Sequence, residues 1–586
     1  MKERAFELAQ TWANDDYIDQ ADRQHLKELL RDPAKNESEI VESFYQDLEF
    51  GTGGLRSILG VGSNRMNKYN VRKAAQAMVD ALRAELPSGG RACVSFDCRN
   101  FSKEFSREVA GVFAANGLET FIFEDLAPTP MLSYAVRYYE ANLGVMITAS
   151  HNPKQYNGFK AYWADGAQVT PPNDQLVIDK YNAISNWNDI KLGSFEELME
   201  QNNIKWVSQE CIQSFYQTVY DNALDREMCL THGKKVHIIY TPLHGTGYVP
   251  SLHVSKEMGF ENFEIVESQA VFDGNFSTIK TTPNPEDPQA LELAVAIMLE
   301  ENADVAYGTD PDGDRLGVVV NNKGIPAYLN GNQIAILMMH YMLEQKSKQG
   351  TLPKKPLILK SLVTSPLQTT IATKYNTEVR DTLTGFKWMA KLWKELENTD
   401  YEYVFASEES FGYMPHDKVR DKDAVASIAL MNEIVLYYKL QDMNLINALD
   451  KIYEEFGYAE ESLVALTFEG LEGKEKINRI MQYYRDNSTA DIAGFKVENF
   501  NDYKAGVSKN LASGETTQLD MTPSNVLGFT FTDGTKLFLR PSGTEPKIKF
   551  YTMVQVKDGD LTQKKQTAKD YIQKIEAEIN ERAASL

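Results

Sequence analysis

Cysteine is scarce in this chain of 586 residues, and this scarcity argues against two classes of protein. The four cysteines are Cys93, Cys98, Cys211 and Cys229. They lack the paired C-x-x-C spacing of a zinc site and are too few for a disulfide-stabilised scaffold. The sequence therefore predicts reduced thiols in a cytoplasmic protein.

Long apolar runs are also missing. No window approaches the roughly 18 uninterrupted apolar residues of a transmembrane helix. The opening segment MKERAFELAQTWANDD contains no apolar stretch of signal-peptide length. We therefore expect a soluble intracellular protein with no membrane partner.

Positive charge is in deficit. The chain has 61 lysines and arginines against 83 aspartates and glutamates, a formal net charge of −22. Such a surface repels nucleic acid, so we expect no nucleic-acid partner, and a small anionic substrate would need a locally basic pocket. With 42% hydrophobic and 25% charged residues, the composition is that of a globular protein, and the length predicts three or four domains.

Several motifs of nucleotide and ester chemistry are absent as well. The sequence has no G-x-x-x-x-G-K-[ST], no H-E-x-x-H and no G-x-S-x-G, and HGTG (244–247) lacks the third glycine of the dinucleotide fingerprint. These absences argue against phosphoryl transfer from ATP by a P-loop fold and against a serine hydrolase.

What the sequence does contain is a recurring alternation of helix-like and strand-like segments. The strand-like segments ACVSFD, TFIFED and LGVMITAS alternate with helical runs, and similar orders of elements return at VHIIYTPLHGTG (236–247) and PLILKSLVTS (356–365). From about Leu463 the pattern changes to an open helix and to strands joined by the turn Asp533-Gly534.

The predicted fold class is therefore α/β. We expect three similar α/β domains with mixed, mostly parallel sheets and a C-terminal α+β domain, arranged around a central cleft. The predicted boundaries are 1–208, 209–324, 325–461 and 462–586. Ligands gather beyond the carboxyl ends of parallel strands, where TASHNP, GTDPDGDR and SEES all lie.

The segment GTDPDGDR is a candidate metal site. In an extended chain Asp310, Asp312 and Asp314 project to one side, and three carboxylates this close repel unless a cation lies between them. Oxygen ligands select Mg²⁺ or Ca²⁺. An EF-hand is excluded, because Arg315 and Asn321 replace its glycine and glutamate. A solvated acidic turn is the alternative.

Two further segments have the chemistry of phosphate binding. Arg315 can bind a phosphate beside the metal, or can merely neutralise the aspartates. In RPSGTEPK (540–547), Arg540 supplies a bidentate fork, Ser542 and Thr544 supply hydroxyl donors, and Gly543 permits a turn whose N–H groups point at an anion. A plain turn between two strands is the alternative for this segment.

The segment TASHNP contains the hydroxyl groups of Thr148 and Ser150. No general-base triad can be assembled around them from the sequence. A serine here could carry a phosphoryl group, whose charge of about −1.5 to −2 the metal and nearby basic residues would stabilise. Alternatively, Ser150 and Asn152 cap a turn.

Together these segments resemble a known family. TASHNPKQYNGFK (148–160), GTDPDGDR (308–315), EES (408–410) and RPSGTEPK (540–547) follow one another in the order and spacing of the α-D-phosphohexomutases. The long lead-in to GTGGLR (51–56) and the segment SEESFGY resemble the branch of phosphoglucomutases and phosphopentomutases.

The resemblance implies roles for individual residues. Ser150 is the phosphorylated serine and, with Asp310, Asp312 and Asp314, a ligand of one Mg²⁺ per active site. Arg56, His151 and Lys160 surround the transferring phosphoryl group, with Lys160 a candidate general acid/base. The implied substrate-binding residues are Arg315, Thr384, Gly385, Glu408, Ser410, Lys422, Arg540, Ser542, Gly543 and Thr544.

The implied reaction interconverts glucose 1-phosphate and glucose 6-phosphate through phosphoserine and a sugar bisphosphate, which also serves as activator. Phosphopentomutase and phosphomannomutase activities remain open, since Lys422 matches the family but Ala424 replaces a common glycine. A non-catalytic sugar-phosphate sensor and a phosphatase are further alternatives. We expect small-molecule sugar phosphates as partners, and a monomer or a homodimer.

Overall fold

The computed structural model describes residues 2–51, 53–468, 470–489, 491–542 and 547–586. The chain divides into two compact units. The first unit comprises Met1–Gly331, Ala390–Asn398 and Ser410–Gln441, and the second comprises Asn332–Met389, Thr399–Glu409 and Asp442–Leu586. Within the described ranges, no helix combines the length and the apolar character needed to cross a membrane.

The first unit begins with three helices that form a small core around Trp12 and Phe44, together with Tyr69. They are α1 (Lys2–Asn14), α2 (Gln20–Arg31) and α3 (Glu37–Phe44). The six strands that follow are β1 (Gly54–Ile58), β2 (Arg91–Phe96), β3 (Glu119–Ile122), β4 (Leu143–Ile147), β5 (Tyr156–Trp163) and β6 (Ile204–Trp206). The accompanying helices are α4 (Lys68–Leu82), α5 (Ser102–Ala115), α6 (Thr129–Tyr138), α7 (Asn173–Ala183) and α8 (Phe195–Glu200).

These six strands form one mixed sheet in the order β1-β5-β4-β2-β3-β6. Strands β4, β2, β3 and β6 are parallel, whereas β5 runs antiparallel to β4 and to β1. Every residue of β4 is buried, which explains its uninterrupted apolar sequence. The antiparallel β5 was not predicted as a strand.

A second sheet follows in the same unit. Its strands are β7 (Ile238–Thr241), β8 (Phe263–Ile265), β9 (Val305–Thr309), β10 (Leu316–Asn322) and β11 (Ile325–Leu329), in the order β11-β10-β9-β7-β8. The helices of this segment are α9 (Gln209–Asp221), α10 (Arg226–His232), α11 (Tyr248–Glu257) and α12 (Glu292–Glu300). Strands β9, β7 and β8 are parallel, and the hairpin of β10 and β11 extends the sheet antiparallel to β9.

The next segment contributes to both units. Its elements are α13 (Gly331–Lys348), β12 (Pro356–Ser361), α14 (Leu367–Lys374), β13 (Glu378–Thr382), α15 (Phe386–Leu396), β14 (Glu402–Glu408), β15 (Gly412–Met414), α16 (Ala424–Lys439) and α17 (Leu445–Phe456). In the second unit, β12 pairs in parallel with β13 and with β14. In the first unit, α16 packs against α11.

The last segment forms an antiparallel sheet in the second unit. Its elements are β16 (Tyr458–Thr467), α18 (Gly470–Asp486), β17 (Val497–Asp502), β18 (Val507–Asn510), β19 (Thr516–Gln518), β20 (Leu527–Phe531), β21 (Lys536–Pro541), β22 (Lys547–Val556) and α19 (Leu561–Ser585). The strand order is β16-β22-β21-β20-β17-β18-β19. The α/β class with a C-terminal α+β domain is thus confirmed, while the four predicted domain boundaries stay a prediction.

Candidate active site

Ser150 lies just beyond the carboxyl end of β4, in a turn that directs its hydroxyl toward another strand end. Its φ of 50° is left-handed, and only 4% of its surface is exposed. The hydroxyl donates to Asp310 Oδ2 at 2.7 Å, and His151 Nδ1 lies 3.2 Å from the same Oγ. Two segments that are 160 residues apart in sequence therefore meet at one hydroxyl group.

The turn around Ser150 is held by an arginine that the sequence analysis missed. The guanidinium of Arg99 donates to four carbonyl groups of this turn, those of Ser150, Asn152, Pro153 and Tyr156. No exposed surface remains on the Arg99 side chain. Since one planar group joins four carbonyls, the turn is held as a rigid unit.

A buried aspartate completes this support. Asp97 lies 3.3 Å from Arg99 in an ion pair, and its carboxylate accepts the hydroxyl proton of Thr148 at 2.6 Å. The Thr148 hydroxyl oxygen accepts in turn from the Ser150 N–H at 2.8 Å. The sequence offered one sign of this support, the polar segment DCRN (97–100) after β2. Because β2 is the parallel neighbour of β4, the loops that follow the two strands lie side by side.

The Asp310, Asp312 and Asp314 carboxylates, called the Asp triad below, follow β9 and are fully buried or nearly so. Each offers an oxygen within 4.8 Å of the others. Gly313 has a φ of 64°, a conformation that favours glycine, and a Cβ there would lie 2.7 Å from Pro128 Cβ.

Neighbouring loops fix the backbone of this acidic loop. Thr129 donates its N–H to the Asp312 carbonyl and its hydroxyl to Asp312 Oδ2, both at 2.9 Å. Thr246, from the HGTG segment, donates its N–H to the Pro311 carbonyl at 2.9 Å. The HGTG segment therefore supports the acidic loop rather than binding a dinucleotide by itself.

The Asp triad has the donors of a hard cation site. Burial, followed by the charges of Asp314 and Asp312, raises the pKa of Asp310 well above its usual value. Among the described residues, Asp312 Oδ1 and Asp314 Oδ1 have no hydrogen-bond partner although both are buried. Unpaired carboxylate oxygens in a buried cluster fit Mg²⁺, which prefers oxygen ligands.

Two lysines contact the Asp triad. Lys160 lies on β5, and its Nζ is 2.5 Å from Asp312 Oδ2 and 3.1 Å from Asp314 Oδ2. Burial alone would lower the pKa of Lys160, but these two carboxylates raise it. Lys422 Nζ lies 3.0 Å from Asp314 Oδ2 and 3.3 Å from Asp421 Oδ1. Both lysines predicted from the sequence are thus beside the acidic loop.

Arg56, His151 and Arg315 are the other predicted phosphate-site residues of this unit. Arg56 is exposed on β1 and donates to Asn152 Oδ1 at 3.0 Å. Burial, together with the positive charges of Arg315 and Arg56, holds the pKa of His151 well below its usual value, so its imidazole is neutral at neutral pH. The Arg315 guanidinium forms an ion pair with Glu286 at 2.5 Å. The backbone N–H of Arg315 donates to Asp310 Oδ1 at 3.0 Å.

The remaining predicted residues divide between the units. In the second unit the Gly385 N–H donates to Glu408, and Thr384 precedes it in the same half-buried loop. Arg540 is the penultimate residue of β21 and interacts with Tyr551, while the Ser542 N–H donates to the Lys547 carbonyl at 2.7 Å. Ser410 is half-buried in the first unit. Gly543 and Thr544 lie outside the described residues.

Three family models match the chain in sequence order. They are domains I, II and III of phosphoglucomutase/phosphomannomutase, each described as an alpha/beta/alpha domain, and they match residues 47–187, 215–324 and 330–456. Together they cover more than half of the 586 residues.

Curated relatives agree with these matches. A phosphoglucomutase from Staphylococcus saprophyticus is 36% identical over 549 residues, which is 92% of this chain and 96% of that protein. A phosphoglucomutase from Staphylococcus aureus is 35% identical and covers 92% of this chain and 93% of that protein.

Solved structures show the same fold. The open form of parafusin, a phosphoglucomutase from Paramecium, has a TM-score of 0.68 at 17% identity and covers 91% of this chain and 95% of that one. A phosphoglucomutase/phosphomannomutase family protein from Burkholderia thailandensis has a TM-score of 0.60 at 18% identity and covers 90% and 97%. With matches that extend over nearly its whole length, the chain belongs to the phosphoglucomutase/phosphomannomutase family of α-D-phosphohexomutases.

Proposed function

We propose that this enzyme interconverts glucose 1-phosphate and glucose 6-phosphate through phosphorylated Ser150 and a sugar bisphosphate. The observation that carries the proposal is the 2.7 Å contact between Ser150 Oγ and Asp310 inside the Asp triad. A nucleophilic hydroxyl at a cation site, with basic side chains around it, has the parts that phosphoryl transfer needs. The phosphoglucomutase relatives support glucose as the sugar.

The proposed reaction has two transfers. The P–O bond of phosphoserine breaks as the free sugar hydroxyl forms a new P–O bond, which yields the bisphosphate and the serine hydroxyl. The bisphosphate then returns its other phosphoryl group to Ser150. Because one phosphate must stay bound while the other reacts, we propose Arg540, Ser542, Gly543 and Thr544 as the site of the non-reacting phosphate.

Proton transfer follows from the charge states at the site. A neutral His151, with Nδ1 3.2 Å from Ser150 Oγ, can accept the serine proton in the second transfer once that hydroxyl turns away from Asp310 Oδ2. Lys160 is kept protonated by Asp312 and Asp314, which favours proton donation and binding of phosphoryl oxygens over a role as a base. Mg²⁺, held by the Asp triad and the serine phosphate, would neutralise the charge of the transferring group.

Substrate recognition is proposed for the other predicted residues. Arg56, Arg315 and Lys422 are proposed to bind phosphoryl oxygens, whereas Glu408 and Ser410 bind the sugar hydroxyls. Thr384 and Gly385 are proposed to distinguish the two orientations of the sugar. The hydrogen bond from the Gly385 N–H to Glu408 supports a shared role for these two loops.

The test compares glucose 1-phosphate, mannose 1-phosphate and ribose 1-phosphate, each with Mg²⁺ and a trace of the matching bisphosphate. We expect glucose 1-phosphate to turn over fastest and Ser150→Ala to lose turnover of all three. Ser106→Ala is the matched control, because Ser106 is buried and its hydroxyl donates to the nearby Lys103 carbonyl. No turnover by a phosphorylated wild type would support a sensor, and release of inorganic phosphate would support a phosphatase.

A further inference from the structure

A second group of potential metal ligands lies in the first unit, at the amino-terminal edge of its second sheet. His237 immediately precedes β7, Glu264 lies on the parallel neighbour β8, and Glu301 caps the carboxyl end of α12. The Asp triad, in contrast, follows the carboxyl end of β9. The two groups therefore lie at opposite strand ends of one sheet.

Three donor atoms of this group converge on one point. His237 Nε2 lies 2.8 Å from Glu264 Oε1 and 3.3 Å from Glu301 Oε2, and the three donors lie within 4.8 Å of one another. Two ligands that are each about 2.0–2.2 Å from a metal ion lie about 3.0–3.5 Å apart in tetrahedral or octahedral geometry. The observed separations are close to that spacing.

A single hydrogen bond from the His237 imidazole explains this arrangement poorly. One Nε2–H bond points in one direction and donates well to one oxygen, whereas two carboxylates approach this nitrogen. Among the described residues, neither Glu264 nor Glu301 has a lysine or arginine within 4.0 Å. The nearby Lys439 pairs with Asp304 instead, at 2.6 and 2.7 Å.

The helix end supplies a second, independent argument. The carboxyl end of α12 carries partial negative charge from its unpaired carbonyl groups, which favours cations there. Glu300 and Glu301 occupy this end, where their charge is unfavourable unless a cation offsets it. The potential at the site is therefore negative from the helix and from both carboxylates.

The backbone around the site is already ordered. The Asp304 carboxylate accepts the His237 N–H at 2.8 Å, and the Asp304 N–H donates to the His237 carbonyl at 2.9 Å. Two main-chain hydrogen bonds therefore hold His237 in place. The backbone that carries the imidazole therefore needs no further ordering when a ligand binds.

From these observations we propose that His237, Glu264 and Glu301 bind a first-row divalent transition metal ion such as Zn²⁺, separate from the Mg²⁺ of the reaction. One imidazole and two carboxylates are ligands that Zn²⁺ accepts, with water in its fourth position. The ion would join β7, β8 and α12, so its role is to stabilise this sheet rather than to take part in phosphoryl transfer.

The test uses the full chain, stripped with a chelator and returned to excess Mg²⁺ so that the Asp triad is filled. Isothermal titration with Zn²⁺, and visible absorption with Co²⁺, then measure the proposed site. We expect His237→Gln and Glu264→Gln to lose one equivalent of bound Zn²⁺ or to bind it with more than tenfold lower affinity. Even residues that only orient the ligands of a metal site change the metal affinity by about 10–100-fold. Zn²⁺ should raise the Tm of the wild type but not that of these variants.

His25→Gln is the matched control. His25 also faces a glutamate, with Nε2 3.8 Å from Glu39 Oε1, but it has one carboxylate partner instead of two. We expect this variant to bind Zn²⁺ as the wild type does, and all three variants to keep mutase activity in Mg²⁺. Identical Zn²⁺ stoichiometry and affinity in the wild type and His237→Gln would overturn the proposal, as would an equal loss in His25→Gln.

Discussion

Replacing Arg99 with lysine tests how much the position of Ser150 depends on the hydrogen bonds that hold its turn. The guanidinium pairs with Asp97, and its hydrogen bonds to residues 150–156 go to four backbone carbonyls rather than to the Ser150 hydroxyl. Lysine keeps the positive charge and the ion pair. It cannot reproduce the fork, because its three donors project from a single nitrogen atom.

The magnitude follows from the hydrogen bonds that lysine cannot form. If lysine keeps two of the four bonds to carbonyl groups, the other two charge-assisted hydrogen bonds disappear at a cost of about 1.5 kcal/mol each, or about 3 kcal/mol in all. This change favours local opening of the turn over the closed state by roughly 100-fold. An active site whose nucleophile is less well positioned also turns over more slowly, by about 10²-fold for a displacement on the order of 1 Å.

Hydrogen–deuterium exchange read by mass spectrometry measures the opening directly. We expect exchange across 148–156 to accelerate by roughly 100-fold in Arg99→Lys, with a fall in kcat and a smaller change in KM. Arg83→Lys is the matched control, because Arg83 also donates to three backbone carbonyls, those of Leu86, Gly89 and Asn116, in the same domain. Equal exchange and equal kcat in the two variants would refute the reasoning.

Two further predictions concern pH and backbone conformation. Burial lowers the pKa of His416 to about 4 and raises that of Asp423 to about 7, so their opposite effects on unfolding cancel between pH 4 and 6.5. In this pH range the free energy of unfolding in urea should rise with pH in Asp423→Asn and fall with pH in His416→Gln, each by at most about 1.4 kcal/mol per pH unit. Parallel pH profiles of the two variants would contradict this prediction. Gly313→Ala should weaken Mg²⁺ activation at least tenfold, because its Cβ would lie 2.7 Å from Pro128 Cβ. Gly324→Ala, with a φ of 85° and open space around its Cβ, should not.

The fold was largely predictable because its strands are short apolar runs that end in polar loops. Strands β2, β3, β4 and β7 overlap the segments ACVSFD, TFIFED, LGVMITAS and VHIIYTPLHGTG, and Ser150 lies in the loop after β4. Since parallel strands of one sheet share their carboxyl edge, clustering of strand-end loops within each sheet followed from the pattern.

The antiparallel strand β5 of the first sheet was the part that the sequence did not reveal. Strand β5 contains Gly158 and Lys160 among its apolar residues, and the sequence analysis assigned no strand to this segment. In the structure Lys160 pairs with Met146 of β4 and with Gly54 of β1, which places its ammonium group beside the Asp triad. The role of a lysine in the middle of a buried sheet can be assigned only when its carboxylate partners are known, and here they lie about 150 residues away in the sequence.

The supporting residues were missed for a related reason. Arg99 donates its hydrogen bonds to backbone carbonyls. Because every residue has a backbone carbonyl, the sequence does not show which of them accept a hydrogen bond. The short polar segment after β2 indicates that Arg99 lies at the carboxyl edge of the sheet. It does not indicate whether Arg99 contacts a substrate or the protein itself. The same limit applies to Thr129 and Thr246, whose N–H groups hold the acidic loop from two different strand ends.

The charges at the site explain how a protein of net charge −22 can accept a phosphorylated sugar. Lys160 and Lys422 contact the Asp triad, and Arg56 interacts electrostatically with two of its members. These cations, together with Arg315 and Arg99, offset the negative charge of the Asp triad before any ligand binds. In the proposed mechanism, phosphorylation of Ser150 adds a charge of about −1.5 to −2. A divalent cation would offset that charge, so metal binding should strengthen when Ser150 is phosphorylated, and equal Mg²⁺ affinity of the two forms would contradict this account.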